Sequence, residues 1–359
     1  MNTPLPRYRT GDPDLDQRLV ELLDAAGATD NRDQLFEILA TVVHLAQDRP
    51  DRLDLKITNA AVKEMREAFK VFAPYRDLRK VTMFGSARTL PDEPLYAQAR
   101  DLARVLAGRG WSVVTGAGPG IMAAGLEGAG RDRAFGINIR LPFEQGANPY
   151  IAEDPKLVEM RYFFTRKLML IKESDGFIVL PGGFGTLDES FELLTLLQTG
   201  KTEPAPIVLL EVPGGSYWEA WDRFVTGEVA ARGLVSPEDA ALYRITDSVE
   251  DATNEILDFY RNYDSLRWVG QQLVIRLQHR PAEDDLRELS REFSDICRSG
   301  GIVASGPLPP EITSSDKVGL PRVVLRFNRS SYGRLRRLID RLNGLPSAGA
   351  AEAGRRGAR

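Results

Sequence analysis

Apolar residues follow a helical period through residues 14–74. Near residue 80 they switch to short solid runs separated by helical stretches. In "NRDQLFEILATVVHLAQ", Leu35, Ile38, Leu39, Val42 and Val43 recur at three- and four-residue spacing. That spacing predicts a helix with one apolar face, and Asn31 stands where its cap belongs. "ITNAAVKEMREAFKVF" continues in the same style. The pattern predicts a helical extension over 14–75, a cap or oligomerisation surface, with a Pro- and Gly-bearing flexible arm over 1–13 before it. His44 on the apolar face reads as a core or interface residue.

From residue 76 the solid runs predict strands: "KVTMFGSA", "WSVVTG", "RAFGINIRL", "KLVEMRYF", "GFIVLPG" and "APIVLLEV". Between them lie helical patterns such as "LYAQARDLARVLAGRG", "FTRKLMLIKES" and "GTLDESFELLTLLQTG". Strands alternating with helices predict a doubly wound parallel sheet, Rossmann-like, over 76–263. In such sheets ligands bind beyond the carboxyl ends of the strands. "FGSA", "TGAGPG" and "LPGGFGT" all fall there and are expected to share one crevice.

After residue 264 the alternation stops. "WVGQQLVIRLQ", "GIVASG" and "PRVVLRFN" read as strands, and "AEDDLRELSREFSDICRSG" and "SSYGRLRRLIDRLN" as helices. This predicts a small α+β module of βαββα order over 264–343, with a Ser cap on its last helix and a disordered tail over 344–359. Leu335, Leu338, Ile339 and Leu342 form an apolar stripe that leaves the arginines between them as a solvated face. A nucleic-acid role for that helix is therefore disfavoured, although residues 265–359 hold 17 Lys and Arg against 10 Asp and Glu. The whole chain of 359 residues carries a formal charge of -4.

Composition excludes several classes. One cysteine, Cys297, rules out an internal disulfide framework, and two distant histidines, His44 and His279, make a zinc site improbable. The first residues lack the apolar core of a signal peptide, and no run approaches the roughly 18 apolar residues of a membrane span. The expectation is a soluble, cytoplasmic protein with no membrane partner.

Two glycine turns carry candidate chemistry. Gly116, Gly118 and Gly120 are spaced G-x-G-x-G, unlike the dinucleotide fingerprint, and the next strand ends in Arg140 with no acid for a ribose. Hydride transfer is disfavoured; a backbone approached closely by a ligand remains. "LPGGFGTLDE" is more specific. Gly182, Gly183 and Gly185 free the chain to aim several N–H groups one way, at a helix start whose dipole favours an anion. Thr186 adds a hydroxyl. No Gly-Lys-Ser/Thr follows, so the turn is not a Walker loop. Asp188 and Glu189 sit in the first turns of that helix, where acids also serve the dipole alone.

"PGGFGTLDE" at 181–189 matches the P-G-G-x-G-T-x-x-E signature of the LOG family, the cytokinin-activating phosphoribohydrolases once labelled lysine decarboxylases. Arg166-Lys167 in "FFTRKLML", "GSA" at 85–87, "TGAGPGIM" and "LPFE" at 141–144 resemble further elements of that family. The likeness spans about residues 78–262. It implies hydrolysis of a nucleoside 5'-monophosphate, of AMP or N6-modified AMP type, to free base and ribose 5-phosphate, by a homodimer or larger homo-oligomer. Arg166 and Glu189 would be the catalytic pair. Gly183, Gly185 and Thr186 would hold the phosphate, Glu144 would lie near base or ribose, and Lys167 would stand beside the pair. Ser86, Gly118, Gly120 and Gly182 complete the expected substrate-binding set. No metal or cofactor is implied. The decarboxylase label fails, because pyridoxal phosphate chemistry needs a Schiff-base lysine and a partner for the ring nitrogen. About 75 residues before the core and about 95 after it have no counterpart in compact plant members, which leaves the choice of base open. The alternative on this fold is a carrier that binds a nucleotide or cofactor without chemistry.

Overall fold

The computed structural model describes residues 6–140 and 146–348. The chain divides into two compact units, Met1–Lys63 and Glu64–Arg359. The elements of the first are α1 (Pro13–Ala25), α2 (Arg32–Asp48) and the start of α3 (Arg52–Phe72). Asp12 caps α1 by accepting from the amides of Asp14 and Leu15. Asn31 stands at the start of α2 in a left-handed conformation, and its side chain makes no cap bond. The small core of this unit is Leu23, Phe36 and Ala40. Leu35, Ile38 and Val42 are exposed instead. The helix turns Phe36 inward, so the buried face lies about 100° from the face its aliphatic residues predict.

The second unit contains β1 (Lys80–Phe84), α4 (Pro94–Gly108), β2 (Ser112–Thr115), α5 (Ile121–Ala129), β3 (Ala134–Ile139), β4 (Leu157–Met160), α6 (Phe163–Lys172), β5 (Gly176–Val179), α7 (Phe184–Gln198), β6 (Ile207–Leu210), α8 (Tyr217–Phe224), β7 (Arg244–Thr246) and α9 (Val249–Asp258). All seven strands are parallel, in the order β4-β3-β2-β1-β5-β6-β7. This is the doubly wound, Rossmann-like sheet that the alternating runs predict. Side chains alternate across it. Val81, Met83, Val113 and Ile178 pack against Leu102, Ile121 and Ile256 on one face. Phe84, Val114, Phe135 and Val179 pack against Phe72, Met169, Leu193 and Trp218 on the other. Both faces are covered, which is why these strands read as unbroken apolar runs. β7 is short and half-exposed at the sheet edge, and no apolar run marks it. The order reverses between β1 and β5, so the turns after those strands flank the switch point where ligands of such sheets bind.

A second sheet follows: β8 (Tyr263–Val269), β9 (Gln272–Leu277), α10 (Glu283–Glu292), β10 (Val303–Ser305), α11 (Pro309–Thr313), β11 (Arg322–Leu325) and α12 (Tyr332–Asn343). Its order is β10-β11-β9-β8, all antiparallel. The run read as one strand over 268–278 is a hairpin, because Gly270 at φ +61 turns the chain back. The α+β module is thus ββαββα, with the short α11 before β11. Leu335, Leu338, Ile339 and Leu342 of α12 are fully buried. Arg336 does not join a solvated face: it is 6% exposed and pairs with Glu255 and Asp340. Ser331 begins α12 without a side-chain cap bond; Asn328 accepts from the amides of Ser330 and Ser331 instead. Leu345 and Ala348 beyond α12 are buried too. No helix among the described residues is long and apolar enough to cross a membrane.

Candidate active site

Three turns meet at Ser86. Its amide donates to the Pro181 carbonyl at 3.2 Å, and its carbonyl accepts from Ile121 at 3.0 Å. One residue thus ties the β1 turn to the glycine turn after β5 and to the start of α5. Gly120 is required at this junction. It has φ +66, and a Cβ there would lie 2.3 Å from the Ser86 carbonyl oxygen. Gly118 is half-buried in the same turn, its carbonyl accepting from Asn148 Nδ2 at 2.9 Å.

Arg166 projects from the first turn of α6 under the sheet's carboxyl edge. Its Nε donates to the Ile137 carbonyl at 2.9 Å and Nη2 to the Gly116 carbonyl at 3.4 Å. A Cβ on residue 116 would stand 1.8 Å from Nη2. Gly116 therefore makes room for the guanidinium. Arg166 Nη1 faces Glu189 Oε1 at 3.6 Å, with side-chain exposures of 10% and 14%. Burial pushes the Glu189 carboxyl up to about 7, Arg166 pulling the other way and the neighbouring Asp188 pushing further up. At neutral pH this carboxyl is poised between its two protonation states.

α7 starts right after the glycine turn. None of Gly182, Gly183 and Gly185 has positive φ, so their freedom to bend is not the left-handed kind. Gly182 is needed for packing, since a Cβ would lie 2.2 Å from Thr186 Oγ1. At Gly183 and Gly185 a Cβ would meet nothing within 4 Å. Four successive amides, of Gly183, Phe184, Gly185 and Thr186, have no acceptor among the described residues, and Leu187 is the first to bond back, to Gly183. Phe184 between the two open glycines is 94% exposed.

Lys167 Nζ lies 3.2 Å from Asp188 and 2.7 Å from Glu192. Burial alone would lower its pKa, but the hydrogen bonds it donates to these two carboxylates hold it above the usual lysine value. Asp188 thus has an ionic partner besides the helix dipole. Glu144 lies outside the described residues. Cavities of about 850 and 420 Å³ occur elsewhere, against α10 and β10 and around Arg79, Asp175, Asp264 and Lys317. Neither is lined by Arg166, Glu189 or the glycine turns. No group of three or more His, Cys, Asp or Glu among the described residues could hold a metal ion.

Sequence reasoning passed over three supporting residues. Buried Asn148 gives its side-chain amide to the carbonyls of Ala117 and Gly118, holding Ala117 at φ 61. Glu64 accepts from the Arg161 amide at 3.1 Å and the Thr165 hydroxyl at 2.6 Å, at the start of the helix that carries Arg166. Tyr217 Oη donates to the Gly182 carbonyl at 2.8 Å. All three act across long sequence separations, and no spacing rule flags them.

Residues 120–256 match the family model described as "possible lysine decarboxylase". The chain is 32% identical over 167 residues to the cytokinin riboside 5'-monophosphate phosphoribohydrolase of Mycobacterium tuberculosis, covering 44% of this chain and 86% of that protein. It is 32% identical over 143 residues to the probable cytokinin riboside 5'-monophosphate phosphoribohydrolase LOG6 of Arabidopsis thaliana, covering 39% of this chain and 68% of that one. Among solved structures, the molybdenum cofactor binding protein of Rippkaea orientalis aligns with a TM-score of 0.36 at 19% identity, over 49% of this chain and 93% of that one. The molybdenum cofactor carrier protein of Chlamydomonas reinhardtii aligns at 0.35 and 20%, over 49% and 94%. Nothing about function follows from likenesses at those scores.

Proposed function

The chain belongs to the LOG family, the cytokinin riboside 5'-monophosphate phosphoribohydrolases, and on that premise we propose that it hydrolyses nucleoside 5'-monophosphates of AMP or N6-modified AMP type to free base and ribose 5-phosphate. The observation that carries this reading is the half-buried Glu189 beside a pinned Arg166, 3.6 Å apart, Glu189 standing on the helix whose first amides have no acceptor among the described residues.

The 5'-phosphate sits on the amides of residues 183–186, where the helix dipole and the Thr186 hydroxyl favour an anion. That anchor lets binding energy remote from the reacting bond place the sugar. The bond from C1' to the base nitrogen breaks through an oxocarbenium-like sugar, as in glycoside hydrolysis, the bonding pair leaving with the base, which takes up a proton from solvent water while C1' takes the hydroxyl. Glu189 as carboxylate stabilises that cation and takes a proton from the attacking water. A carboxyl poised near 7 suits this task, since it is largely ionised just above neutral pH yet basic enough to accept a proton. Arg166 stays protonated and acts as an electrostatic clamp, oriented by the Ile137 and Gly116 carbonyls. Lys167 orders the acidic flank by bridging Asp188 and Glu192.

The test is incubation of the purified protein with a panel of nucleoside 5'-monophosphates, isopentenyl-AMP included, with chromatographic detection of free base. Base release that falls by at least about a hundredfold in Glu189→Gln and Arg166→Ala is the expected result. Binding without base release sinks the hydrolase reading in favour of a carrier. An undiminished rate in both variants removes the assigned pair.

A further inference from the structure

The hydrogen bond from Tyr217 to the glycine turn has a use that packing does not require. Tyr217 opens α8, and its backbone is held by a buried carboxylate: Glu211 Oε2 accepts from the amides of Tyr217 at 2.9 Å and Trp218 at 3.3 Å. Gly215 lets the loop close over that carboxylate, since a Cβ there would lie 2.6 Å from Glu211 Cδ. The phenol ring stands edge-on to Trp218 at 4.8 Å, and Trp218 is itself fully buried with its Nε1 on the Leu210 carbonyl. The hydroxyl is thus delivered to the Gly182 carbonyl from a rigid base.

Gly182 and Gly183 flank one peptide plane. A peptide between two glycines meets little steric resistance to turning over, because neither side carries a Cβ. In a trans peptide the carbonyl and the amide point in opposite directions. Fixing the Gly182 oxygen on the Tyr217 side therefore fixes the Gly183 N–H on the other side. That amide is the first of the four without an acceptor among the described residues.

We propose that Tyr217 is a positioning residue that locks the Gly182–Gly183 peptide with its N–H directed at the 5'-phosphate of the substrate. The proposal rests on the nucleotide reading of the site. Without the lock the turn samples orientations that present a carbonyl oxygen to the anion, and phosphate affinity falls. The sugar and base contacts are untouched, so the loss should belong to the phosphate alone.

The experiment compares wild type with Tyr217→Phe, which keeps the ring and removes only the hydroxyl. Equilibrium binding of ribose 5-phosphate is measured for both, with KM and kcat for AMP, kcat/KM for adenosine, and the thermal midpoint of each protein. The expected result is an about five- to tenfold weaker ribose 5-phosphate affinity and higher KM for AMP, with kcat within about twofold and adenosine unchanged. Equal affinity in the two proteins overturns the lock, and so does an equal loss for AMP and adenosine, which a merely structural role would give. If wild type hydrolyses nothing, the function reading fails while ribose 5-phosphate binding still decides the lock. Absence of ribose 5-phosphate binding by wild type overturns both.

Discussion

Replacing Glu189 by Gln should make the protein more stable at alkaline pH while removing its activity. The folded protein holds this carboxyl at about 7 against an ordinary value of 4.5, because burial penalises the charge more than Arg166 relieves it. A group whose folded pKa is raised contributes stability that is fully present below the unfolded pKa and lost as pH rises through the folded one. The window here runs from about 4.5 to about 7. At pH 5.5 ionisation of the unfolded chain already costs the fold about 1 kcal/mol, and by pH 8.5 about 3 kcal/mol. Between those two pH values wild type should therefore lose about 2 kcal/mol relative to Glu189→Gln. Arg166's attraction for the ionised carboxyl is already contained in the folded value of about 7, so it needs no separate allowance in the comparison. Chemical denaturation of both proteins without substrate, at the two pH values, reads the difference. Substrate is left out because a phosphate monoester titrates near pH 6 and would overlap the signal. A gap between the two proteins that stays constant, or narrows as pH rises, refutes a raised carboxyl at this position and with it the general-base assignment.

Gly116→Ala should displace the Arg166 guanidinium, since the new Cβ would lie 1.8 Å from Nη2; a fall of about a hundredfold or more in kcat/KM for AMP is expected, read against the thermal midpoint to separate it from unfolding. Glu311→Gln should destabilise the protein by about 3 kcal/mol. Glu311 is fully buried between Arg276 and Arg322, which are direct partners across β9 and β11, so losing its charge leaves two buried guanidinium groups facing each other. A denaturation midpoint within error of wild type would refute that account.

The doubly wound sheet was legible because burial on both faces forces strands such as "IVLL" at 207–210 to be apolar throughout, while each connecting helix keeps a polar side. The glycine turns were legible for a related reason: they concentrate backbone freedom at carboxyl ends of strands. What escaped was set by distant partners. β7 at the edge has only three residues, none of them buried, and its pairing with β6 cannot be read from so short a stretch. The hairpin at Gly270 was hidden because apolar residues continue on both sides of the turn. Arg336 looks like a solvated arginine until Glu255, 81 residues away, is brought beside it. Gly116 reads as backbone approached closely by a ligand, but its neighbour is Arg166, 50 residues on.

The phosphate anchor proposed at the start of α7 is made almost wholly of peptide groups, the amides of residues 183–186. Truncating side chains leaves such a surface in place; removing the exposed Phe184 ring, for instance, does not remove the Phe184 amide. An alanine scan would therefore pass over the anchor and credit binding to its neighbours. Amide isotope exchange would find it, as a block of consecutive protons that slow when a phosphorylated ligand binds and stay fast with an uncharged one. The same trait bears on inhibitor resistance. A compound that grips these amides through an anion offers point substitutions no contact to delete, so escape would have to come from changes that move the backbone itself.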